Sequence, residues 1–369
     1  MKKFPLPRSI KTRLIFWLMV TSLVPLIIVV GIIYSQRSRD MIEMEAQKLT
    51  AVRDLKIREI RLWLKERRGD VHTIAADPHI RQIESATGDP AGHDPDPAGS
   101  PILETIRTHF YHYLKHYDAY DEIFLIHPET GVVLVSTDTG HEGRDESENP
   151  YFLKPLASED LFIKDIYFSR FRQKQSMAIS IPVRCKAHFK DHVTAVLVCR
   201  LNLERSLFPL LSHRTGLGDT GETLLVNAQG LSLSPLRWQP GAPLNTVIEA
   251  EPAARAAAGQ TGLIEANDYR GAAVLAAYGH IPESGWGFVA KQDIGEVHAP
   301  IYRMLRQMLM LGAATAAAVF FIAWLLARRL ALPVVHMSQT AQQMSTGDMT
   351  ARNQVFGKGE LGFLAETFN

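Results

Sequence analysis

Three histidines with helical spacing are the residues that most suggest metal chemistry in this chain. His109, His112 and His116 lie at i, i+3 and i+7, so a helix would place them on one face. Three imidazoles on one face could bind a transition metal. An aromatic, amphipathic surface helix explains the same segment equally well, because it also contains Phe110, Tyr111, Tyr113, Tyr117 and Tyr120. Ordinary packing is the simpler interpretation, and no metal or other cofactor is predicted.

The sequence carries no familiar catalytic signature. It contains no Gly-rich phosphate loop, no Gly-x-Ser-x-Gly elbow and no His-Glu-x-x-His zinc motif. The one candidate phosphoacceptor near the C-terminus is His336, which is followed by Met337 and Ser338 rather than by the Glu and Pro expected around a kinase histidine. No catalytic residue is therefore predicted. A histidine kinase or diguanylate cyclase activity of a longer parent protein stays open.

Composition and cysteine content restrict the partners and the compartment. Lys and Arg number 40 against 39 Asp and Glu, and the resulting net charge of +1 argues against a nucleic-acid partner. The only cysteines, Cys185 and Cys199, lie in separate strand-like runs. They could pair in an oxidising periplasm if strand geometry allowed it, and two buried free thiols are the alternative.

Two uncharged apolar stretches of about twenty residues lie at 14–33 and 308–327. A helix of that length rises about 30 Å and can cross a bilayer core. The first stretch is too long for the 7–15-residue core of a typical signal peptide, and no small-residue cleavage site follows it. Residues 1–13 and 328–369 should be cytoplasmic and 34–305 external, because basic residues flank the outer ends: Lys2, Lys3, Arg8, Lys11, Arg13, Arg328 and Arg329. The expected location is a bacterial inner membrane.

The segment between the two stretches is predicted to form a long helix and two α/β units. Helical periodicity over 35–83 covers more than one stripe, so this helix should pack on its own domain and on a partner chain. Strand-like runs and turns then follow one order twice: hairpin, helix, three strands. The predicted elements are at 102–119, 122–126, 132–136, 162–168, 176–183, 193–201 and 203–214, then at 222–227, 231–234, 252–259, 262–266, 272–278, 287–291 and 294–310, with a Gly/Pro/Asp-rich loop at 88–101.

This order of elements resembles a double Cache sensor domain. The resemblance covers about residues 36–300. The segments that carry it are Asn-Pro-Tyr-Phe at 149–152, Ser-Ile-Pro-Val at 180–183, 195–203, Gly-Glu-Thr at 221–223, Tyr-Arg-Gly at 269–271 and Gly-Trp-Gly-Phe at 285–288. It implies an α+β fold: a long stalk helix and two tandem PAS-like antiparallel-sheet modules, the distal one at about 84–214 and the proximal one at about 215–293. Gly271 and Gly287 are expected to serve turns or close backbone approach, and Trp286 the core.

Residues 328–369 resemble a HAMP domain. Leu332-Pro333 opens a first helix with the 3-4-3 seam of a coiled coil, Gly347-Asp348 starts a connector, and Glu360-Leu361-Gly362 opens a second helix, on which the chain ends in mid-course. The seam residues are Val334, Met337, Ala341 and Met344, then Leu361, Leu364 and Phe368. A HAMP unit is a parallel four-helix bundle made by two chains, so the resemblance implies a homodimer.

The Cache resemblance also places a ligand pocket in the distal module. In double Cache sensors for amino acids, an Arg-x-Trp-Tyr-like stretch grips the ligand carboxylate and a later Asp takes the amine. Here Asn149 replaces that Arg and Arg200 stands about where that Asp would be. The departures imply an anionic ligand such as a small organic acid, and Arg200 paired internally with a carboxylate such as Glu142 or Asp165 is the alternative. The candidate ligand-binding residues are Asn149, Tyr151, Tyr167, Arg170, Arg184 and Arg200.

The sequence therefore predicts a transmembrane signal-transduction receptor. An external small molecule would be sensed and relayed through the HAMP domain to a downstream cytoplasmic signalling protein, which would be a histidine kinase, a diguanylate cyclase or a chemotaxis component. The predicted partners are a small-molecule ligand, a second copy of the chain, the lipid bilayer and that output protein. The alternative is a membrane-anchored binding protein without enzymatic output, for which two coiled-coil seams at 330–369 would have no use.

Overall fold

The computed structural model describes residues 10–83, 101–185 and 192–346. They divide into two compact units. One unit is Met44–Val297 and contains all the strands of the described chain. The other combines Met1–Glu43 with His298–Asn369, and its described part is helical. Nearly all of the predicted loop at 88–101 and the predicted second HAMP helix lie outside the described residues.

The first helix, α1 (Ile10–Ala75), is continuous through the first apolar stretch. We expected helix up to residue 83, but α1 ends at Ala75. The reason is local, because the residue before a proline avoids the α conformation, and here that residue is Asp77. Asp77 instead caps a short helix, α2 (Pro78–Arg81), and its side chain accepts the His79 backbone N–H at 2.9 Å. The chain then continues in α3 (Pro101–His116).

The distal module is a five-stranded antiparallel sheet in the order β2-β1-β5-β4-β3. Its strands are β1 (Tyr120–Ile126), β2 (Val133–Ser136), β3 (Phe162–Ser169), β4 (Lys174–Cys185) and β5 (His192–Leu201). The strand predicted at 193–201 is the central strand β5 and is buried along most of its length. Because side chains alternate along a strand, one face packs on α1 and α3, and the other face on α4 (Pro150–Ser158), a helix that the sequence did not predict.

The register of β4 and β5 decides the cysteine question. Cys185 lies opposite His192, whereas Cys199 lies opposite Ile179, at the far end of the paired region. Six or seven strand positions separate the two, which is about 20 Å at 3.3 Å per residue. A disulfide needs Cα atoms within about 7 Å. Cys185 and Cys199 of one chain therefore cannot pair, and Cys199 is a buried free thiol.

The proximal module follows α5 (Leu207–Ser212) and is a four-stranded antiparallel sheet in the order β6-β9-β8-β7. Its elements are β6 (Glu222–Val226), α6 (Glu251–Ala257), β7 (Gly262–Asn267), β8 (Ala273–Ile281) and β9 (Trp286–Asp293). The strand predicted at 231–234 is wrong, because that segment makes only isolated bridges to Val226 and Val247. Gly287 lets α6 approach the sheet, since a Cβ there would lie 2.7 Å from the Ala257 nitrogen.

The last strand leads directly into α7 (Ile294–Leu326), whose first turn is tied to the loop between the modules. Glu296 accepts backbone N–H groups of Asp219 at 2.7 Å and Thr220 at 2.8 Å. Burial alone would raise the pKa of Glu296, but these hydrogen bonds outweigh it and lower the pKa to about 2. Gly218 has a φ of +67° and leaves room for the carboxylate, because a Cβ there would collide with Glu296.

The helical unit contains the features expected of membrane-spanning and HAMP segments. Two helices of the described chain, α1 and the one starting at Ile294, are long and apolar enough to cross a membrane. A π-helical stretch, Ala327–Ala331, leads into α8 (Leu332–Ser345), which begins at the predicted Leu332. Along α8, Met337 is 9% exposed whereas Val334 is 45% exposed.

Candidate ligand site in the distal module

The candidate site lies on the α4 side of the distal sheet, where one row of residues crosses three strands. Arg200 on β5 lies opposite Glu122 on β1 and opposite Ala178 on β4. The next row on the same face contains Phe124 and Val198, with Ser180 opposite Val198 on β4. Helix α4 covers this face with Tyr151 and Phe152. The strand register thus buries a charged row beneath an aromatic lid.

A connected group of charged and polar side chains fills this space. We call it the distal cluster, and it consists of Glu122, His141, Glu146, Asn149, Tyr151, Lys164, Tyr167 and Arg200. Arg200 forms an ion pair with Glu122, and its Nε donates to the Tyr167 hydroxyl at 3.3 Å. Glu122 is fully buried and Arg200 is 2% exposed. A buried guanidinium needs a compensating charge, and here another strand supplies it.

His141 connects the two carboxylates of the distal cluster. Its Nδ1 lies 2.6 Å from Glu122 Oε1 and its Nε2 lies 2.8 Å from Glu146 Oε1. Burial opposes the charged form of the ring, but hydrogen bonds to Glu122 and Glu146 outweigh it and raise the pKa of His141. Burial likewise raises the pKa of both carboxyls, but hydrogen bonds from His141 and from a neighbouring hydroxyl, together with the positive charges of His141 and Arg200, outweigh it, so both pKa values are lowered. The three groups favour an imidazolium between two carboxylates.

Lys164 is influenced by the charge of Glu146 but forms no ion pair with it. Its Nζ donates to Asn149 Oδ1 at 3.1 Å and lies over the rings of Tyr167 at 3.9 Å and Tyr151 at 4.8 Å. Within the described part of the chain, no carboxylate forms an ion pair with it. Burial lowers the pKa of Lys164, as expected for a half-buried ammonium without a paired anion.

Two buried hydroxyls on the same face also lack partners. Ser176 and Ser180 flank Ala178 on β4, and neither Oγ has a hydrogen-bond partner among the described residues. Ala178 lies opposite Lys164 on one side and opposite Arg200 on the other. Buried polar atoms are normally hydrogen-bonded. One cation and two hydroxyls are therefore available close to the middle of this face.

The structure brings four of the six predicted site residues together. Tyr151 donates to Glu146 Oε2 at 2.7 Å, and Asn149 donates to the same carboxylate. Arg170 and Arg184 do not join the distal cluster. Arg170 is exposed after β3, and Arg184 forms an ion pair with Glu159 at 2.7 Å.

The internal partner of Arg200 differs from the two suggested by sequence. Glu142 pairs with Arg107 at 3.0 Å, and Asp165 accepts the indole N–H of Trp286 at 2.8 Å. The partner is Glu122, which sequence reasoning missed together with His141, Glu146 and Lys164. One signal was available for Glu122, because a buried Arg on a central strand calls for an acidic residue on a neighbouring strand.

The conspicuous residues of the proximal module are internally satisfied. Arg270 pairs with Asp268 at 2.6 Å and with Asp293 at 2.5 Å. The Tyr269 hydroxyl donates to Glu222 at 3.0 Å. Gly271 has a φ of +77°, in agreement with its predicted turn role, and Trp286 is 1% exposed within the core. These contacts stabilise the module and leave no comparable free cation among these residues.

Comparisons with known proteins agree with this architecture. Residues 325–369 match the family model of the HAMP domain. A comparison with curated proteins found no significant match. Among solved structures, the ligand-binding domain of the Campylobacter jejuni chemoreceptor Tlp3, in complex with 4-methylisoleucine, is 12% identical with a TM-score of 0.52 and covers 71% of this chain and 96% of that chain.

A histidine kinase sensor shares the fold as well. The sensor domain of the V. cholerae histidine kinase DctB is 14% identical with a TM-score of 0.50 and covers 70% of this chain and 98% of that chain. These likenesses confirm the predicted two-module sensor fold, and the HAMP match confirms the tail. The HAMP match also favours a receptor over a simple anchored binding protein. The chain thus joins a two-module fold shared with these solved domains to a region that matches the HAMP domain.

Proposed function

We propose that the distal module senses a small organic acid whose carboxylate binds to Lys164. The observation that carries this proposal is the half-buried Lys164 ammonium, which rests on two tyrosine rings without an ion-pair partner among the described residues. Counting the distal cluster gives two anions, Glu122 and Glu146, and three cations, His141, Lys164 and Arg200. A monocarboxylate would balance the excess positive charge.

The surroundings of Lys164 support a carboxylate rather than a purely apolar ligand. Ser176 and Ser180 offer hydroxyl donors on the neighbouring strand, and the Asn149 amide already contacts the ammonium. Arg200 does not bind the ligand directly in this proposal, because its guanidinium forms an ion pair with Glu122. Ligand binding by Asn149, Tyr151, Tyr167 and Lys164 is thus part of the proposal, whereas Arg170 and Arg184 are not.

An amino acid is the second candidate ligand class. It is favoured by one fact, the presence of 4-methylisoleucine in the structurally similar Tlp3 domain. In the distal cluster an α-ammonium would have to compete with His141 and Arg200 for Glu122 and Glu146. An organic acid has no ammonium group, so it would not have to displace His141 or Arg200 from these carboxylates.

A panel of organic acids and amino acids distinguishes these ligands. The full chain in nanodiscs would be screened by thermal shift, and hits measured by calorimetry. Lys164→Met should weaken an organic-acid hit by roughly 30-fold or more, since losing a buried charge-assisted contact typically costs 2–5 kcal/mol. Lys154→Met, on the exposed side of α4, is the matched control. A hit whose affinity is the same in both variants would refute the role of Lys164.

The proposal includes a dimer in the bacterial inner membrane, with residues 34–305 external and both termini cytoplasmic. The basic flanks of the two apolar helices support this topology. The domain limits 14–33, 308–327 and 328–369 belong to the same proposal. The ligand would shift the HAMP helices between two packings, by the difference between its affinities for the two states.

A further inference from the structure

Two histidines and an aspartate from different elements meet on the opposite face of the distal module from the distal cluster. Asp77 precedes α2, His79 lies within α2, and His109 lies on α3. His79 Nδ1 is 3.1 Å from Asp77 Oδ1, and His109 Nδ1 is 3.5 Å from Asp77 Oδ2. The two rings stack with centroids 4.0 Å apart. One potential ligand atom from each residue lies within 4.8 Å of the others.

These separations suit a tetrahedral metal ion. Zinc binds imidazole nitrogen and carboxylate oxygen at about 2.0–2.2 Å, so two ligands of a tetrahedral ion lie roughly 3.4 Å apart. His79 Nδ1 is 3.1 Å from Asp77 Oδ1 and His109 Nδ1 is 3.5 Å from Asp77 Oδ2, so each nitrogen is close to that separation from one of the two carboxylate oxygens. The ligand atoms of the two histidines lie within 4.8 Å of each other, and their side chains are 45% and 34% exposed, which leaves the rings room to turn towards a shared ion.

The carboxylate is already held in place. Asp77 accepts the backbone N–H of His79 at 2.9 Å and the hydroxyl of Tyr113 at 3.0 Å. An outer hydrogen bond of this kind is what orients a metal-ligating carboxylate.

We propose that Asp77, His79 and His109 form a binding site for a divalent transition-metal ion such as Zn²⁺. Three protein ligands leave one coordination position for water or for an added ligand. A further imidazole, His72, lines the same open recess. Imidazole and carboxylate donors suit Zn²⁺, Ni²⁺ and Cu²⁺ rather than Ca²⁺. The site shares no residue with the distal cluster, so it is independent of the proposed organic-acid function.

The structure divides the three histidines that the helical spacing had grouped. His109 turns to Asp77, whereas His112 and His116 stack on each other with ring centroids 4.2 Å apart. His116 Nδ1 also lies 2.8 Å from the carbonyl oxygen of His112. The two remaining histidines of α3 therefore provide a matched control for the proposed site.

The test uses the tag-free full chain in nanodiscs, stripped with a chelator and titrated with Zn²⁺ by calorimetry. His79→Ala, His109→Ala and Asp77→Asn should each weaken Zn²⁺ binding by roughly 100-fold or more, and Tyr113→Phe by about 10-fold, since losing an outer-shell partner typically costs 10–100-fold. Asn at position 77 can still cap α2, so that variant should fold. His112→Ala/His116→Ala should bind Zn²⁺ like the wild type.

Two further readings make the outcome unambiguous. Saturating Zn²⁺ should raise the melting temperature of the wild type but not of His109→Ala, because only a folded site binds. Affinity should fall on acidification, since protons compete for the imidazoles. Absence of binding, binding that survives both His79→Ala and His109→Ala, or binding lost only in the His112/His116 variant would each overturn the site. None of these results bears on Lys164.

Discussion

At the scale of single residues, the Arg200–Glu122 pair shows how one contact fixes the interior of the distal sheet. Both side chains are withdrawn from water; Arg200 has Glu122 as its ion-pair partner, whereas Glu122 also contacts His141 and Arg172. Removing one member of a buried pair leaves the second charge stranded, which is more costly than removing both. The ligand role predicted for Arg200 from sequence and its structural role can be separated by stability measurements.

We expect Arg200→Ala to destabilise the protein by about 3–5 kcal/mol, which corresponds to a fall in melting temperature of roughly 10 °C. The double variant Arg200→Met/Glu122→Gln should recover part of that loss, because no charge is stranded. Thermal unfolding of the full chain measures both, with exposed Arg214→Ala as the control. An unchanged melting temperature combined with lost ligand affinity would assign Arg200 to the ligand instead.

The His141 bridge predicts a pH-dependent stability. A pKa raised by folding stabilises the protein fully below the unfolded value, about 6.5 for histidine, and this contribution disappears as pH rises through the folded pKa. Glu122 and Glu146 have lowered pKa values, so their contribution is present above about 4.3 and is lost as pH falls through the folded values.

The melting-temperature difference between wild type and His141→Gln should therefore be largest at about pH 5–6.5 and shrink towards pH 9. Exposed His213→Gln should show a small difference at every pH. If the His141→Gln difference were constant between pH 6 and pH 9, the imidazolium bridge would be rejected.

At the scale of elements, sequence patterns predicted most strands because their residues are either continuously apolar, as in strands buried on both faces, or alternate between apolar and polar. Helix α4 was missed because it is short and Pro155 lies inside it, although Pro150 at its first position is a helix-start signal. The segment at 231–234 has strand-like composition but no full strand as a partner, which no local pattern reveals. The distal cluster was only half predictable, since the strand register pairs Glu122 with Arg200 across 78 positions of sequence.

The predicted coiled-coil seam on α8 is proposed to pack against the same helix of a second chain. Met337 lies on the predicted seam and is 9% exposed, whereas Ser338 is exposed. Met337→Asp would place an unpaired charge in the bundle, at a cost of several kcal/mol. Disulfide crosslinking through a cysteine introduced at Ala341 should fall sharply in this background. Ser338→Asp should leave crosslinking intact, and equal crosslinking in both would show that the seam is not an interface.

At the scale of the whole molecule, the topology proposal makes opposite predictions for the two units. Ser158, at the end of α4, is exposed in the unit Met44–Val297, and Ser338 is exposed on α8 in the helical unit. A membrane-impermeant maleimide applied to intact spheroplasts should label Ser158→Cys but not Ser338→Cys until the membrane is permeabilised. The parent chain reports any background from its native thiols. The reverse labelling pattern would invert the orientation.

The separation of the two cysteines has a consequence for biogenesis. The strand register keeps Cys185 and Cys199 too far apart to form a disulfide. The unit Met44–Val297 therefore folds without an intramolecular disulfide and needs no thiol oxidase to form one. Burial raises the pKa of Cys199, so this thiol stays protonated and a poor target for oxidants. The stability of this unit therefore does not depend on a disulfide between its two cysteines, whether the surroundings are reducing or oxidising.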